Sequence, residues 1–200
     1  MTKFIDRIFG TKVEVDLVRL ALESRISFES AQVDKLLLRD YAIADRLNDL
    51  AAFQQDLLAL NSESNWSLEQ ELDVLRQYVE LIQSIKGADF FAQFNTKVVD
   101  QNAQIQSLIL FPLIQNAIKN GYASMEKFPI KIRISGSEGS LLLEVSNRVN
   151  HYVENQGEDE LIQFYRKRLQ WIYADKHELF VNSNSQTFKA TLFLKYDSND

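Results

Sequence analysis

The distribution of glycine and proline divides this chain of 200 residues into two parts. Residues 11–86 contain neither, so all 6 glycines and both prolines lie outside that stretch. Because both residue types interrupt helices, the stretch predicts long helices, followed by a second part that is richer in turns. With 46% hydrophobic residues, the chain can bury an ordinary core, and we expect a folded globular protein.

The first part carries apolar residues at a spacing of three and four, which is typical of helices with a buried seam. The seam residues are Val15, Val18, Leu22, Ile26, Leu36, Ile43, Leu47, Leu50 and Leu57. Such seams pack against a partner helix. We predict two helices joined near residues 29–34, forming a helical hairpin domain over residues 1–65. One continuous helix through the join is the alternative.

The second part mixes helical and strand periodicity. Ser67 and Gln70 form a capping box that opens a third helix, which Gly87 ends. Strand patterns follow near residues 90–99, 130–134, 141–145, 178–182 and 187–195, and helical patterns near residues 110–120 and 161–172. This order predicts an α+β fold, in which residues 66–200 form a two-layer sandwich with helices on one face of a mixed sheet. The expected core aromatics are Phe90, Phe91, Phe94, Trp171 and Tyr173.

Composition excludes several classes of function. The formal charge of −6 and the absence of any Lys/Arg-rich run argue against direct nucleic-acid binding. The chain has no cysteine, and His151 and His177 are its 2 histidines, which leaves few ligands for zinc. No apolar run is long enough to span a bilayer, and the start is too short and too charged for a signal peptide. We expect a cytoplasmic protein, with attachment to the inner face of the membrane as the alternative.

The most informative stretch covers residues 110–121. Its apolar residues recur at helical spacing, while the polar residues fall on the other side of the helix; these are Gln115, Asn116, Lys119 and Asn120. Amide and ammonium groups could contact a phosphate or a metal-bound water. A face that is only solvated is the alternative interpretation.

The order of elements and three stretches of sequence resemble the transmitter region of LytS-type sensor histidine kinases. Residues 66–81 are similar to the acidic helix that precedes the ATPase domain in that family. Residues 110–121 resemble its asparagine box, and residues 166–179 resemble the helix and strand after its lid. The resemblance runs from Val13 to Tyr196 and implies a dimerising helical hairpin joined to an ATP-binding sandwich of the GHKL (Bergerat) type.

The resemblance also shows where this chain departs from the family. Glu29 stands at the place of the phosphate-accepting histidine, and Gln115 at the place of the acid–base glutamate of the box. Val149 and His151 replace two glycines of the adenine-binding motif. In the lid, at residues 155–161, only Gly157 remains of the glycines.

The lid of this chain is acidic instead. Its carboxylates are Glu158, Asp159 and Glu160, which satisfy the N-terminus of the following helix. They repel a triphosphate by about 1 kcal/mol for each close pair of charges in water.

Other positions keep residues that could contact a nucleotide. Asn116 resembles the family's magnesium ligand, and Lys119 and Asn120 lie where phosphate contacts are expected. Asn147 stands at the adenine-reading position. The resemblance therefore implies ATP and Mg²⁺ as cofactors if nucleotide binding is retained. With the acceptor, the base and the lid replaced, we expect no cofactor and no catalytic residue.

These residues favour a catalytically degenerate signalling protein of the two-component type. We expect a homodimer, formed through the helical hairpin, that binds the receiver domain of a response regulator or a partner kinase. An ATP-binding kinase or ATPase with weak nucleotide binding is the first alternative. A structural adaptor whose sandwich binds no ligand is the second.

Overall fold

The computed structural model describes residues 17–149 and 160–196. The helices of this part are α1 (Leu17–Gln32), α2 (Lys35–Ile43), α3 (Leu47–Leu58), α4 (Leu68–Lys86), α5 (Phe111–Asn120) and α6 (Glu160–Tyr173). The strands are β1 (Asn65–Ser67), β2 (Ala92–Val98), β3 (Gln104–Gln106), β4 (Gly121–Tyr122), β5 (Ile130–Ser137), β6 (Ser140–Val149), β7 (His177–Ser183) and β8 (Thr187–Lys195).

The join after the first helix lies where the sequence predicts it, and the single continuous helix is wrong. Asp34 caps α2, since its Oδ1 accepts hydrogen bonds from the amides of Leu36 (2.9 Å) and Leu37 (3.1 Å). The prediction of one long second helix is also wrong, because α2 and α3 are separate. Asp45 between them adopts a left-handed backbone with φ of 55°, which Asp tolerates better than most residues.

Helix α4 begins and ends as predicted. The Ser67 side chain accepts from the amide of Gln70, and the Gln70 side chain accepts from the amide of Ser67, so both halves of the capping box are formed. Gly87 ends the helix with φ of 59°, a conformation that favours glycine.

The large sheet confirms the predicted α+β class and its mixed character. The strand order is β2-β5-β6-β8-β7, with β4 paired to β6. Strands β2 and β5 are parallel, and the other pairs are antiparallel. A second, two-stranded ladder of β1 and β3 was not predicted from periodicity, because three-residue strands are too short to show a repeat.

The three N-terminal helices pack on the sandwich, and one continuous core includes both. Phe28, Tyr41 and Leu57 from the helices belong to the same buried cluster as Leu72 and Leu113. The division into domains at residues 65 and 66 stays a prediction. Among the described residues, no helix is both long and apolar enough to cross a bilayer.

The predicted core aromatics divide into buried and exposed residues. Phe90 and Tyr173 are buried, and Phe91 and Phe94 are partly buried. The prediction for Trp171 is wrong, because this side chain is 47% exposed. It lies on the outer side of α6, whose inner side carries Tyr165 and Leu169.

Glu71, a fully buried residue of α4, fixes the loop that leads into α5. Its carboxylate accepts hydrogen bonds from the amides of Leu108 and Leu110, both at 2.7 Å. A third hydrogen bond comes from Nε1 of Trp66, at 2.6 Å. Leu108 has φ of 57°, unusual for a branched side chain, so the carboxylate stabilises a strained backbone.

The opposite side of the same loop is bound by α6. Arg168, also fully buried, donates to the carbonyl of Leu108 at 3.0 Å and to that of Ser107. The hydroxyl of Tyr165 donates to the carbonyl of Ile109 at 2.7 Å. Donors and acceptors of residues 107–110 are therefore bound from two helices, which determines where α5 begins.

Glu71 should make stability depend on pH. Burial raises the pKa of Glu71 from 4.5 to about 7, against its three hydrogen bonds and the charge of Arg168. The folded state then holds a proton that the unfolded chain releases, so this contribution to stability falls as the pH rises from about 4.5 to about 7. Relative to Glu71→Gln, the wild type should lose about 2 kcal/mol of unfolding free energy between about pH 5 and pH 8.

Urea unfolding of both proteins at the two pH values measures this difference. Glu80→Gln, at an exposed position of the same helix, serves as the matched control, and its stability should change with pH as that of the wild type does. A gap between wild type and Glu71→Gln that does not change with pH would mean that Glu71 is ionised throughout.

Candidate functional site

Helix α5 is buried on nearly all sides, so the alternative interpretation of a solvated polar face is wrong. Gln115, Asn116 and Asn120 are 8%, 1% and 4% exposed, and only Lys119 in this helix is exposed. Nε2 of Gln115 donates to the carbonyl of Ala31 in α1 at 3.0 Å. The polar side of α5 is therefore covered in part by the N-terminal helices, which the periodicity of α5 alone does not reveal.

Asn116 and Asn120 lie one helical turn apart, and their side chains are hydrogen-bonded to each other. Nδ2 of Asn120 donates to Oδ1 of Asn116 at 2.7 Å. Nδ2 of Asn116 is buried and has no hydrogen-bond partner among the described residues. A buried amide without a partner costs about 1–3 kcal/mol, which a ligand with an acceptor atom could offset.

The fit of Asn116 to magnesium is partial. Its side-chain oxygen, the atom that Mg²⁺ would require, already accepts from Asn120 and keeps one lone pair. Within the described residues, no group of three or more His, Cys, Asp or Glu side chains could hold a metal ion. A cation here would depend on a neutral amide, on water and on the phosphates of a nucleotide.

Asn147 lies on β6 and packs against the end of α5. The side chain is 3% exposed; its Nδ2 donates to the carbonyl of Arg148 at 2.9 Å, and its Oδ1 is buried without a partner in the described part of the chain. Gly121 allows this approach, because a Cβ there would lie 2.7 Å from Nδ2 of Asn147. Asn147 and Asn116 thus contribute one buried acceptor and one buried donor.

A cavity of about 540 Å³ lies between α1 and α5. Glu29 and Lys35 line it from the helical part, Gln115 and Lys119 from α5, and Glu160 from the start of α6. The Glu29 carboxylate is 56% exposed and forms an ion pair with Arg25 at 2.8 Å. Glu29 and two polar residues of α5, Gln115 and Lys119, therefore line one cavity.

The remaining site residues are distributed as follows. Lys119 lines the cavity, Asn116 and Asn120 lie buried in the same helix, and Asn147 lines a separate small cleft. Val149 pairs with Gly121 in the sheet. His151 and residues 155–159, which include Gly157, Glu158 and Asp159, lie outside the described residues.

Sequence reasoning missed the polar residues that position α5. Glu71 stands among the apolar residues Leu68, Leu72 and Leu75, and Arg168 directly precedes Leu169. A charged residue on the apolar side of a predicted helix is the signal that could have identified each of them, because such a residue is buried only with partners.

Comparison with known proteins gives structural similarities and no sequence match. No family model matches the chain, and no curated protein matches it. Solved structures that are similar include the histidine kinase AdeS of Acinetobacter baumannii, at 11% identity and a TM-score of 0.48, over 83% of this chain and 87% of that one.

Two other similar structures are also histidine kinases. The histidine kinase domain of a blue-light activated kinase from Erythrobacter litoralis has 14% identity and a TM-score of 0.47, over 89% of this chain and 94% of that one. A histidine kinase from Burkholderia phymatum has 12% identity and a TM-score of 0.44, over 91% and 98%.

Gly121→Ala tests how closely Asn147 packs on α5. A Cβ at this position would lie 2.3 Å from the carbonyl oxygen of Ala117, so we expect a loss of about 2–3 kcal/mol of unfolding free energy. Gly136→Ala is the control, since its φ is not positive and its Cβ would come no closer than 3.3 Å, to Cγ1 of Val98. That variant should lose at most about 1 kcal/mol. Equal losses in urea unfolding would contradict the close packing.

Proposed function

We propose that this protein is a catalytically degenerate, histidine-kinase-like signalling protein of the two-component type. It acts as a dimeric binding or regulatory module for a response regulator or a partner kinase. The observation that carries the proposal is the cavity between α1 and α5, which is lined by both Glu29 and Gln115. The resemblance to LytS-type kinases matches these two residues to the acceptor and the base of that family. The LytS-type resemblance of residues 66–81 and 110–121 supports the same family.

The chemistry of these two residues argues against phosphotransfer. An imidazole nitrogen forms a phosphoramidate, whereas Glu29 offers a carboxylate that is already paired with Arg25. Gln115 has no proton-accepting group near neutral pH, and its amide nitrogen donates to the carbonyl of Ala31. His177, the one histidine in the described part of the chain, lies on strand β7 and not on the helices.

The proposed dimer is supported by the apolar residues that the helices leave exposed. Val18 and Leu22 on α1 are 81% and 57% exposed, and Ile43 at the end of α2 is 78% exposed. All three belong to the predicted seams, of which Leu50 and Leu57 are buried in the core and Val15 lies outside the described residues. A second copy in the cytoplasm would remove this apolar area from water.

The alternative, an ATP-binding kinase or ATPase with weak nucleotide binding, is favoured by one observation. Nδ2 of Asn116 and Oδ1 of Asn147 are buried without partners among the described residues, as they would be in a site that awaits a polar ligand. Lys119 adds a cation on the same helix, at the cavity. ATP and Mg²⁺ are the cofactors of this alternative, with Asn116 as the metal ligand.

Titration with a fluorescent ATP analogue, with and without Mg²⁺, separates the two functions. We expect no magnesium-dependent binding in the submillimolar range and no transfer of the γ-phosphate to the protein. Asn116→Ala is the matched variant, because it removes both the candidate ligand atom and the unpaired amide. If the wild type binds the analogue in the submillimolar range and Asn116→Ala abolishes this binding, the protein is the ATP-binding enzyme of the alternative and the proposal is wrong.

The dimer is tested separately by analytical ultracentrifugation. We expect Leu22→Glu and Ile43→Glu to weaken self-association at least tenfold, because each places a charge in the interface. Phe180→Glu is the control, since Phe180 is 62% exposed on β7 and should not affect the dimer. A monomeric wild type, or equal weakening by the control, would show that the helices do not form the interface.

A further inference from the structure

The large sheet has an inner face, on which α5 packs, and an outer face that we call its open face. A cleft lies at one end of the open face. The inner face bears the apolar residues of β5 and β6, and their alternate residues point outward. Lys131 on β5 lies opposite Ser146 on β6, and Arg148 follows two residues later on the same face. Thr187 on β8 lies opposite Arg148. Residues from three strands therefore meet at one corner of the sheet.

This corner forms a cleft of about 170 Å³, which we call the basic cleft. It is lined by Lys127, Phe128, Pro129, Lys131, Ser146, Asn147, Arg148, Gln186 and Thr187. Three of these residues are cations and none is a carboxylate. Lys127, Lys131 and Arg148 form no ion pair with any residue that the structure describes.

Phe128 holds two of the cations in place. The guanidinium carbon of Arg148 lies 4.5 Å from the centre of the Phe128 ring, and Nζ of Lys127 lies 5.6 Å from it. Both distances are within the range of cation–π attraction. The aromatic ring thus compensates in part for the repulsion between like charges and keeps the guanidinium at the cleft before a ligand arrives.

The basic cleft is positively charged, whereas the whole chain is negatively charged. The protein has a formal charge of −6, so its overall field does not attract anions. Three cations that have no counter-ion among the described residues create a local positive potential in this cleft, which an anion would relieve. The hydroxyls of Ser146 and Thr187 add neutral donors beside the charges.

The chemistry and size of the basic cleft indicate the class of ligand. A guanidinium and ammonium groups match the oxygens of a phosphate, and their hydrogen bonds to it are charge-assisted. The volume of about 170 Å³ is below the roughly 300–1,000 Å³ of pockets for drug-sized ligands. A phosphate group with a few further atoms fits this space better than a whole nucleoside triphosphate.

We propose that the basic cleft binds the phosphate group of a small phosphate monoester. It is separate from the cavity between α1 and α5, because it lies on the open face of the sheet. Asn147 borders it, but the side chain of Asn147 packs toward Gly121 and α5. The proposal is therefore independent of whether the candidate nucleotide residues bind ATP.

Isothermal titration with inorganic phosphate and with glycerol 3-phosphate, at constant low ionic strength, tests the proposal. The double variant Lys131→Gln/Arg148→Gln should bind glycerol 3-phosphate at least tenfold more weakly than the wild type. Lys97→Gln is the matched control, because Lys97 is exposed on β2, opposite Ser135 and distant along the strands from the cleft. Its affinity should stay within twofold of the wild type.

Comparison of the two ligands tests the preference for a monoester, and thermal melting tests whether the double variant remains folded. Glycerol 3-phosphate should bind more tightly than inorganic phosphate, and the ligand-free double variant should melt at or above the wild-type temperature because like charges have been removed. Three results would overturn the proposal: no binding by the wild type in the millimolar range, equal weakening by Lys97→Gln, or inorganic phosphate binding as tightly as the monoester.

Discussion

The position of α5, and of every candidate site residue on it, depends on the buried carboxylate of Glu71. Residues 107–110 run through the core, where an amide without a partner would cost about 1–3 kcal/mol. Glu71 accepts from two of those amides, and Arg168 and Tyr165 donate to the carbonyls of the same loop. Since the carboxylate comes from α4 and the donors from α6, the loop connects both helices to the start of α5.

Arg168, which binds this loop, also contacts the N-terminal helices. The guanidinium of Arg168 lies 5.0 Å from the centre of the Phe28 ring, and Phe28 is buried on α1. Three residues further along α1, the carbonyl of Ala31 accepts from Gln115. Glu29 lies between these two contacts, so packing on both sides fixes where its backbone stands relative to α5.

Local signals in the sequence predicted most of the elements but not what covers them. The capping box of Ser67 and Gln70 and the alternation of residues 130–134 depend on neighbours in sequence, and both are present in the structure. The burial of Asn116 and Asn120 depends on layers that pack on α5 from distant segments, which a helical period does not encode. The prediction for Trp171 failed for the converse reason, because no element of the described chain covers its side of α6.

The basic cleft was missed for a further physical reason. Its cations come from residues 127, 131 and 148, which form no charge run and meet only through the register of β5 and β6. A search of the sequence for Lys/Arg-rich runs cannot detect a site that is assembled by strand pairing. The register of the strands, which the alternation of apolar and polar residues sets, brings these separate charges together in one cleft.

Most polar side chains of α5 are hydrogen-bonded to other groups of the protein itself. These contacts bear on the choice between a binding module and an enzyme. Gln115 binds the backbone of α1, and Asn120 binds Asn116, so these amides stabilise the fold as they stand. A catalytic base would need a titratable group at position 115, and an amide engaged with a backbone carbonyl supplies none. The atoms of Asn116 and Asn147 that lack a partner in the described part of the chain are a donor and an acceptor, which suit a neutral polar edge more than a triphosphate. These contacts are the physical basis on which we propose a binding module and not an enzyme.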